Sequence, residues 1–518
     1  MADKRVPTYD PRISVTLRKN VRREFVAGGD GLGGTVPASA RYKAADRTID
    51  LTPYLGENGG VRVTKNVRQP AGGFVISLAD RMFQGSTAQM ESLYGLIEPM
   101  DVIEIRMARE PARYNGLPIV MRGFVSSVRR TQVVGNGGQP QRAIQVAGQD
   151  YGKLWQIIQI RYFANYVMGQ QLLSFLRFAQ NYGVNSDRNF APSEFMAEVT
   201  REIINEFTAI MRRSGSADGP EDTTSPVRDI DIFDLTVPGS DAKISPYGAN
   251  TWNGGALYQM MTYYGDVGPW NELFIEDREA GPALVYRPNP FKTPAGEFIR
   301  EQGAAYAPSG GTVDAQGVRT ISLTDADLQV DNTGRSDANL ANYYVVDNPQ
   351  FNLIDGGILK MMAAEQRADT FFIEDYRNCA PWLYGIRIMQ QQTQQGLRVD
   401  GKAENDVVSG RGAMIDWLDR RREVIVQNNR DNVVFEEGSM TLKGNEQMRA
   451  GSYLQMQRGT MTTEYYVPSI EHSFMPFRSF TTTVQVERGT GFIARAQRGR
   501  GRQSPYLAET SGGGVYDE

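Results

Sequence analysis

Apolar and polar positions alternate at both ends of the chain. RISVTLR from Arg12, DVIEIRM from Asp101, GFVSSVRR from Gly123 and RAIQVAG from Arg142 repeat with a period of two, the spacing of strands with one buried face. The turn-rich VVGNGGQPQ joins the last two. The same pattern returns in VVFEEGSMTLKG, SYLQMQRG, YYVPSIEHSF and SFTTTVQVERG near the C-terminus. Between these ends the period changes. QQLLSFLRFAQNYG and APSEFMAEVTREIINEFTAIMRR space their apolar residues by three and four, and Pro192 stands just inside a helix start, so a helical insertion is predicted. The polar run SGSADGPEDTTSP from Ser214 reads as a flexible loop or linker. From Thr251 a mixed region follows: a helix around GGALYQMMTYYG, then the strands LFIED and ALVYRP across the turn REAGP. PAGEFIREQGAAYAPSGGTVDAQG reads as a long loop, with helices near IDGGILKMMAAEQRAD and MIDWLDRRREVIVQNN beyond it.

The two β ends share more than a period. GFVSSV at Gly123 and YYVPSI at Tyr465 share an aromatic-Val-x-Ser-[Val/Ile] core, and AIQVAG and TVQVERG follow them some twenty residues later. One alternating strand precedes each, DVIEIRM in one case and SYLQMQR in the other. Three matches in one order predict two related β units with α/β material between them, and tandem copies in a subunit change the symmetry an oligomer can present.

At 518 residues the chain has room for about three to four domains. Its 54 glycines and 10% aromatics suit a turn-rich protein of many strands. The 56 Lys and Arg against 60 Asp and Glu give a net charge of -4, so the whole chain lacks the electrostatic footprint of a duplex-DNA binder. The single Cys379 excludes an intrachain disulfide and a four-thiolate zinc site, suits a reducing cytosol, and reads as a small buried hydrophobe. No run approaches ~18 apolar residues, and MADKRVPTYD lacks the apolar core of a signal peptide. The expectation is a soluble protein made in the cytosol.

The candidate motifs assign no catalytic, cofactor-binding or metal-ligating residue. GDGLGG at Gly29 to Gly34 satisfies G-x-G-x-x-G, but TVPASARY after it opens no helix, so it reads as a surface loop. In AGQDYGKLW, Gly148 to Gly152 is one residue short of a phosphate-binding loop and Leu154 replaces the magnesium-binding hydroxyl. A strand-to-helix junction with Lys153 exposed is predicted there. The one histidine, His472, shares strand parity with Ile470 and Phe474, hence a face with apolar neighbours, and reads as structural. With Cys379 far away it makes no zinc site, and no G-x-S-x-G elbow supplies a nucleophile. DLQVDNTGRSDANLAN from Asp327 misses calcium-loop spacing. Glu272 with Asp277, or Asp416 with Asp419, are conceivable acid and base pairs. The second pair, followed by Arg420, Arg421 and Arg422, has the spacing of a solvated charged helix face. Arg495, Arg498, Arg500 and Arg502 lie among glycines in a tail that reads as a solvated terminus, with nucleic acid or an acidic protein surface as its alternative partner.

Four longer phrases fall in a consistent order: GPWNELFIEDREAGPALVYRPNPF from Gly268, TGRSDANLANYYVVDNPQF from Thr333, APWLYGIRIMQ from Ala380 and EYYVPSIEHSFMPFRSFTTTVQVERGTGF from Glu464. Together they resemble the baseplate hub proteins of contractile-tailed bacteriophages, the group that includes late-control-D-like hubs. The resemblance spans most of residues 100 to 492. It implies an α+β, mainly β fold: two tail-tube-like antiparallel β-barrel domains with α/β and helical insertions between them. The expected division is 1–160 for the first barrel, 161–245 for a helical insertion and linker, and 246–380 for a mixed α/β domain. Residues 381–492 would form the second barrel with a preceding helix, and 493–518 a flexible Gly/Arg-rich tail.

The resemblance also implies a homotrimeric ring that adapts a hexameric tail tube to a trimeric central spike. Its channel would hold the tape-measure protein and then pass DNA, with other baseplate proteins as further partners. It implies no catalysis and no cofactor, and a place in the virion tail baseplate after assembly in the host cytoplasm. Two alternatives stand beside it: a tail-associated peptidoglycan hydrolase, sought in residues 168 to 213, and a nucleic-acid-binding module using the Arg/Gly tail. Position alone leaves open whether His472 lies in a core or at a subunit interface, where its titration would make assembly pH-sensitive.

Overall fold

All four alternating segments near the N-terminus form strands. The computed structural model describes residues 10–19, 47–56, 59–84, 90–134, 140–160, 191–213, 219–235, 255–301, 318–347, 376–396, 404–459 and 461–497. Strands β1 (Arg12–Arg18), β2 (Thr48–Asp50), β3 (Gly60–Asn66) and β4 (Gly73–Ala79) precede a short hairpin, β5 (Met82–Gln84) and β6 (Met90–Ser92). Then come β7 (Val102–Ala108), β8 (Ile119–Val134) and β9 (Pro140–Asp150). They pair antiparallel in the order β3–β4–β9–β8–β7–β1–β2. Alternate residues point into one core, and strands at both ends of the row reach it: Val61 and Val63 from β3, Val15 and Leu17 from β1. The row therefore wraps its own interior. A helix, Gly152–Ile157, opens directly after β9 and buries Leu154 and Trp155.

The middle of the chain caps this unit. Strand β10 (Gln159–Ile160) pairs with β12 (Gly255–Ala256), while β11 (Asp231–Leu235), β13 (Asn271–Asp277) and β14 (Pro282–Pro288) form a three-stranded sheet in the order β11–β14–β13. The predicted strand pair across REAGP is thus β13 and β14. Pro192 opens a helix, Pro192–Val199, that passes through a π-helical turn, Thr200–Asn205, into Glu206–Arg212. Phe195, Val199 and Ile203 from this helix pack with Leu257 and Met261 of the helix Leu257–Tyr264 and with Trp155, in one apolar cluster. The helix predicted over QQLLSFLRFAQNYG lies outside the described residues, as do the segments around Gly29 to Gly34 and IDGGILKMMAAEQRAD. Within the predicted linker, Asp222 is ion-paired with Arg47 at 2.7 Å and Ser225 is buried, so that part is anchored.

The C-terminal strands are β15 (Thr320–Thr324), β16 (Leu328–Gly334), β17 (Tyr343–Asp347), β18 (Ile388–Gln392), β19 (Glu436–Lys443), β20 (Ser452–Arg458), β21 (Met461–Met475) and β22 (Ser479–Gly489). Strands β17 and β18 pair in parallel, and Tyr344 packs with Trp417, Leu418 and Ile425 of the long helix Glu404–Asn429. The others form a row, β16–β19–β22–β21–β20–β15, around a second core containing Met440, Leu442, Leu454, Met456, Val467 and Val484. The mixed region interrupts this unit between β16 and β19, since β15 and β16 come from before residue 381, where the second unit was expected to begin.

The two rows repeat one plan. Strand for strand, β3–β4–β9–β8–β7–β1 matches β16–β19–β22–β21–β20–β15 in both spatial and chain order, and each ends in a helix that opens at Gly152 or Gly491. Every pairing within both rows is antiparallel except the last, where β15 runs parallel to β20. The match extends to single residues. In β8 the ladder to β9 skips between Val125 and Ser127, and in β21 the ladder to β22 skips between Tyr466 and Ser469, so the bulges fall at the same place in GFVSSV and YYVPSI. Ile103 and Ile105 of β7 correspond to Leu454 and Met456 of β20, all fully buried. The third sequence match is offset: cross-strand pairing equates Val146 with Val484, two residues from the alignment suggested by the shared Gln-Val. The rows are fused by β21 pairing with β3, giving a 13-stranded sheet and a mainly β, α+β fold.

Candidate assembly interface

The junction between the two units is a strand ladder. Ser469 to Phe474 of β21 pair with Asn66 to Val61 of β3, while the same residues pair with β22 on their other side. Phe474 and Phe480 of the second row insert into the core of the first, so the junction shares an apolar interior. Arg62 and Glu471 add an ion pair across it at 3.2 Å.

His472 sits inside this ladder, opposite Val63 on β3 and Thr482 on β22. It is buried, with Phe480 beside its ring at 6.1 Å between centroids. Nδ1 lies 3.0 Å from Thr482 Oγ1, which already accepts the Asn445 N–H at 2.9 Å. Either atom can donate in the His472–Thr482 contact, according to the imidazole tautomer. Burial, with the Arg449 cation nearby, lowers the histidine pKa to about 3. His472 is thus neutral through the physiological range and lies buried at the junction between the two units of one chain.

Ionic contacts tie the mixed region to the junction. Lys65 of β3 reaches Asp150 and Asp277, each at 2.5 Å, and the ring of partners extends to the Gly72 and Gly152 amides that donate to Asp150 at 2.9 and 2.8 Å. Burial works against the Lys65 charge, yet the two carboxylates outweigh it and hold its pKa above the usual lysine value. Glu272 pairs with Arg287 at 3.0 Å and accepts from the Tyr466 hydroxyl of β21. Burial raises the Glu272 pKa against the opposing pull of Arg287. The structure thus does not bring Glu272 and Asp277 together as acid and base. They lie five residues apart on β13, hence on opposite faces, and pair with different cations, Glu272 with Arg287 and Asp277 with the Lys65 that it shares with Asp150. The cavity beside Asp277, about 30 Å³ and lined also by Lys65, Asp150, Arg449 and His472, admits a water and no sugar ring.

Other sequence candidates resolve into structural contacts. Asp419 is exposed and bridges at 3.1 Å to Arg422, whose side chain is largely buried. Arg421 departs from the predicted solvated face: it is buried, ion-paired with Asp266, 3.3 Å from Glu301 and stacked over Trp270. Its row-mates on the helix gave no sign of this, because its partners come from residues over a hundred positions away. Lys153 is half-buried with Nζ donating to the Val125 carbonyl at 3.2 Å, a correction to its predicted exposure; burial lowers its pKa. Asp327 pairs with Arg109 at 2.8 Å. Cys379 is buried, and its thiol pKa is pushed up to about 11 by burial and by Asp431. Arg495 belongs to the helix Gly491–Gln497 and pairs with Glu436, whereas Arg498, Arg500 and Arg502 lie outside the described residues. Among the described residues there is no group of three or more His, Cys, Asp or Glu that would hold a metal, and no helix is long and apolar enough to cross a membrane.

No family model matches the sequence, and no curated protein matches it. Solved structures similar to the chain include phage tail proteins. They include the 43 kDa tail protein of prophage MuSo2 from Shewanella oneidensis, at 10% identity and a TM-score of 0.38 over 92% of this chain and 96% of that one. The tail protein from Neisseria meningitidis MC58 has 8% identity and a TM-score of 0.39 over 92% and 96% of the two chains. Prophage tail protein gp18 from Listeria monocytogenes EGD-e has 7% identity and a TM-score of 0.38 over 95% and 100%.

The repeat leaves two edges without the partner that their counterparts have. Ser469 to Phe474 of β21 correspond to Ser127 to Gln132 of β8, which pair with β9 on one side and, among the described residues, with no strand on the other. Strand β3, whose outer edge receives β21, corresponds to β16, which among the described residues pairs only with β19. Most of both segments is solvent-exposed, with Val330 at 57%, as is Val134 at the end of β8 at 73%.

Proposed function

We propose that this chain is the structural hub of a phage-tail baseplate, a trimeric ring that adapts a hexameric tail tube to a trimeric central spike and lines the ejection channel. The observation that carries this reading is the repeated six-strand order, matched to the residue at the bulges of β8 and β21. A chain holding two similar units gives a threefold ring six similar units, so one face can meet a sixfold partner while the whole stays threefold. Its partners on this reading are the tube protein, the spike, the tape-measure protein within the bore and, transiently, DNA. A net charge of -4 suits a channel that passes DNA without holding it. The named carboxylates support the same reading, since Glu272 and Asp277 are consumed in buried ion pairs that brace the junction.

Negative-stain electron microscopy of the purified chain tests the proposal. Class averages should show rings of threefold symmetry with an axial hole. A compact monomer, or lysis of peptidoglycan in a zymogram by the purified chain, would remove its basis.

A further inference from the structure

We propose that the exposed edge of β8 is the acceptor for strand β16 of a second copy of this chain, and that the two pair antiparallel in the register set by the internal β21–β3 ladder. The inference rests on the ring reading above and specifies the contact that closes it.

The chain already contains one example of this contact. Through the shared ladders, β21 maps onto β8 and β3 onto β16, with Ser469 equivalent to Ser127 and Val61 equivalent to Asp331. Each chain therefore carries one satisfied junction, one acceptor edge on β8 and one donor edge on β16. Two different surfaces that recognise each other form a heterologous, head-to-tail contact, which closes into a ring when the rotation per step allows. Long exposed edges are otherwise an aggregation hazard, and neither of these is shielded by a strand among the described residues.

The register follows from the mapping. Phe474 opposite Val61 becomes Gln132 opposite Asp331 of the neighbouring copy, and Ser473 opposite Arg62 becomes Thr131 opposite Asn332. Arg130, which pairs with Asp80 at 2.8 Å in its own chain, then lies diagonal to Asp331, which pairs with Arg458 in its own, so opposite charges sit near each other across the contact. Bond polarity is also fixed. Val67 N–H donates to the Pro468 carbonyl at 3.0 Å, so Ile470, His472 and Phe474 at alternate positions exchange bonds with β3. Their equivalents Val128, Arg130 and Gln132 therefore turn their backbone groups to the open edge, while Thr131 turns its own to β9.

Two sets of full-length variants test this in a Cys379→Ala background. Thr131→Cys with Asn332→Cys places the thiols on a facing non-hydrogen-bonded pair, where Cα atoms lie about 4.5 Å apart and a disulfide fits. Mild oxidation should link neighbouring chains in the assembled particle, while Thr131→Cys with Val330→Cys, displaced by two residues, should yield at least tenfold less cross-linked product. Gln132→Pro removes an N–H aimed at the edge and spares the ladder to β9, so it should reduce rings to single chains with an unchanged circular dichroism spectrum. Equal cross-linking of both cysteine pairs, or intact rings with Gln132→Pro, would overturn the register while leaving the ring itself standing. A parent chain that never assembles would instead overturn the hub reading.

Discussion

Replacing His472 by Phe isolates one titration within the junction between the units. In the folded chain its pKa is about 3, against 6.5 for the free side chain. Between these values the unfolded chain binds a proton that the folded chain refuses. Stability from the neutral imidazole is therefore complete above pH 6.5 and falls as the solution is acidified toward 3, by about 1.4 kcal/mol per pH unit. From pH 7.5 to 5 the loss comes to about 2 kcal/mol, and it depends little on the folded value as long as that lies well below 5. His472→Phe keeps an aromatic ring beside Phe480 and forfeits one hydrogen bond to Thr482, worth about 1 kcal/mol at neutral pH. Urea unfolding at fixed protein concentration from pH 5 to 8 gives the comparison, because every other titrating group is shared. The gap between parent and variant should change by about 2 kcal/mol in favour of the variant on acidification. Parallel stability curves across that range would refute the argument that His472 is held neutral.

Three further outcomes follow from named contacts. Lys65→Met leaves Asp150 and Asp277 buried without their cation, so unfolding at pH 7.5 should be easier by about 3–5 kcal/mol, with partial recovery as acid protonates one carboxyl. Gly148→Ala would set a methyl 2.2 Å from the Phe74 ring and 2.3 Å from the Phe124 carbonyl, costing about 1–3 kcal/mol in a thermal melt, whereas Gly95→Ala meets nothing within 4 Å and should cost far less. Cys379, buried and with its thiol pushed up to about 11, should react with a disulfide reagent at neutral pH only after denaturant is added.

Period-two segments were legible because each has one face in a core: DVIEIRM became β7 and SYLQMQR became β20, and their resemblance reflected equivalent places in two rows. The helix signalled by Pro192 was legible for the same reason, through its apolar face. Strand β16 was not. Only Leu328 and Val330 carry an apolar signal in LQVDNTG, since both the strand's outer edge and most of its side chains meet solvent. Its role emerged from its place beside β19, which no local pattern encodes. Ionic contacts were likewise hidden: Lys65 with Asp277 and Arg421 with Asp266 join residues remote in sequence, so charge runs such as Arg420 to Arg422 read as surface although one member is interior. The offset between Val146 and Val484 carries a related lesson, because the shared Gln-Val pointed to the correct strands and to a register two residues away from the one the ladders set.

The most direct measurement is the rotational symmetry of the assembled particle in averaged cryo-electron-microscopy end views, taken section by section along its axis. Sections through the joined sheets should carry strong sixfold power and sections through the insertions only threefold, in a particle of three 57.7 kDa chains. Twofold symmetry, or a threefold particle whose sheet sections hold no sixfold component, would contradict the claim that the repeated halves act as equivalent units of one ring.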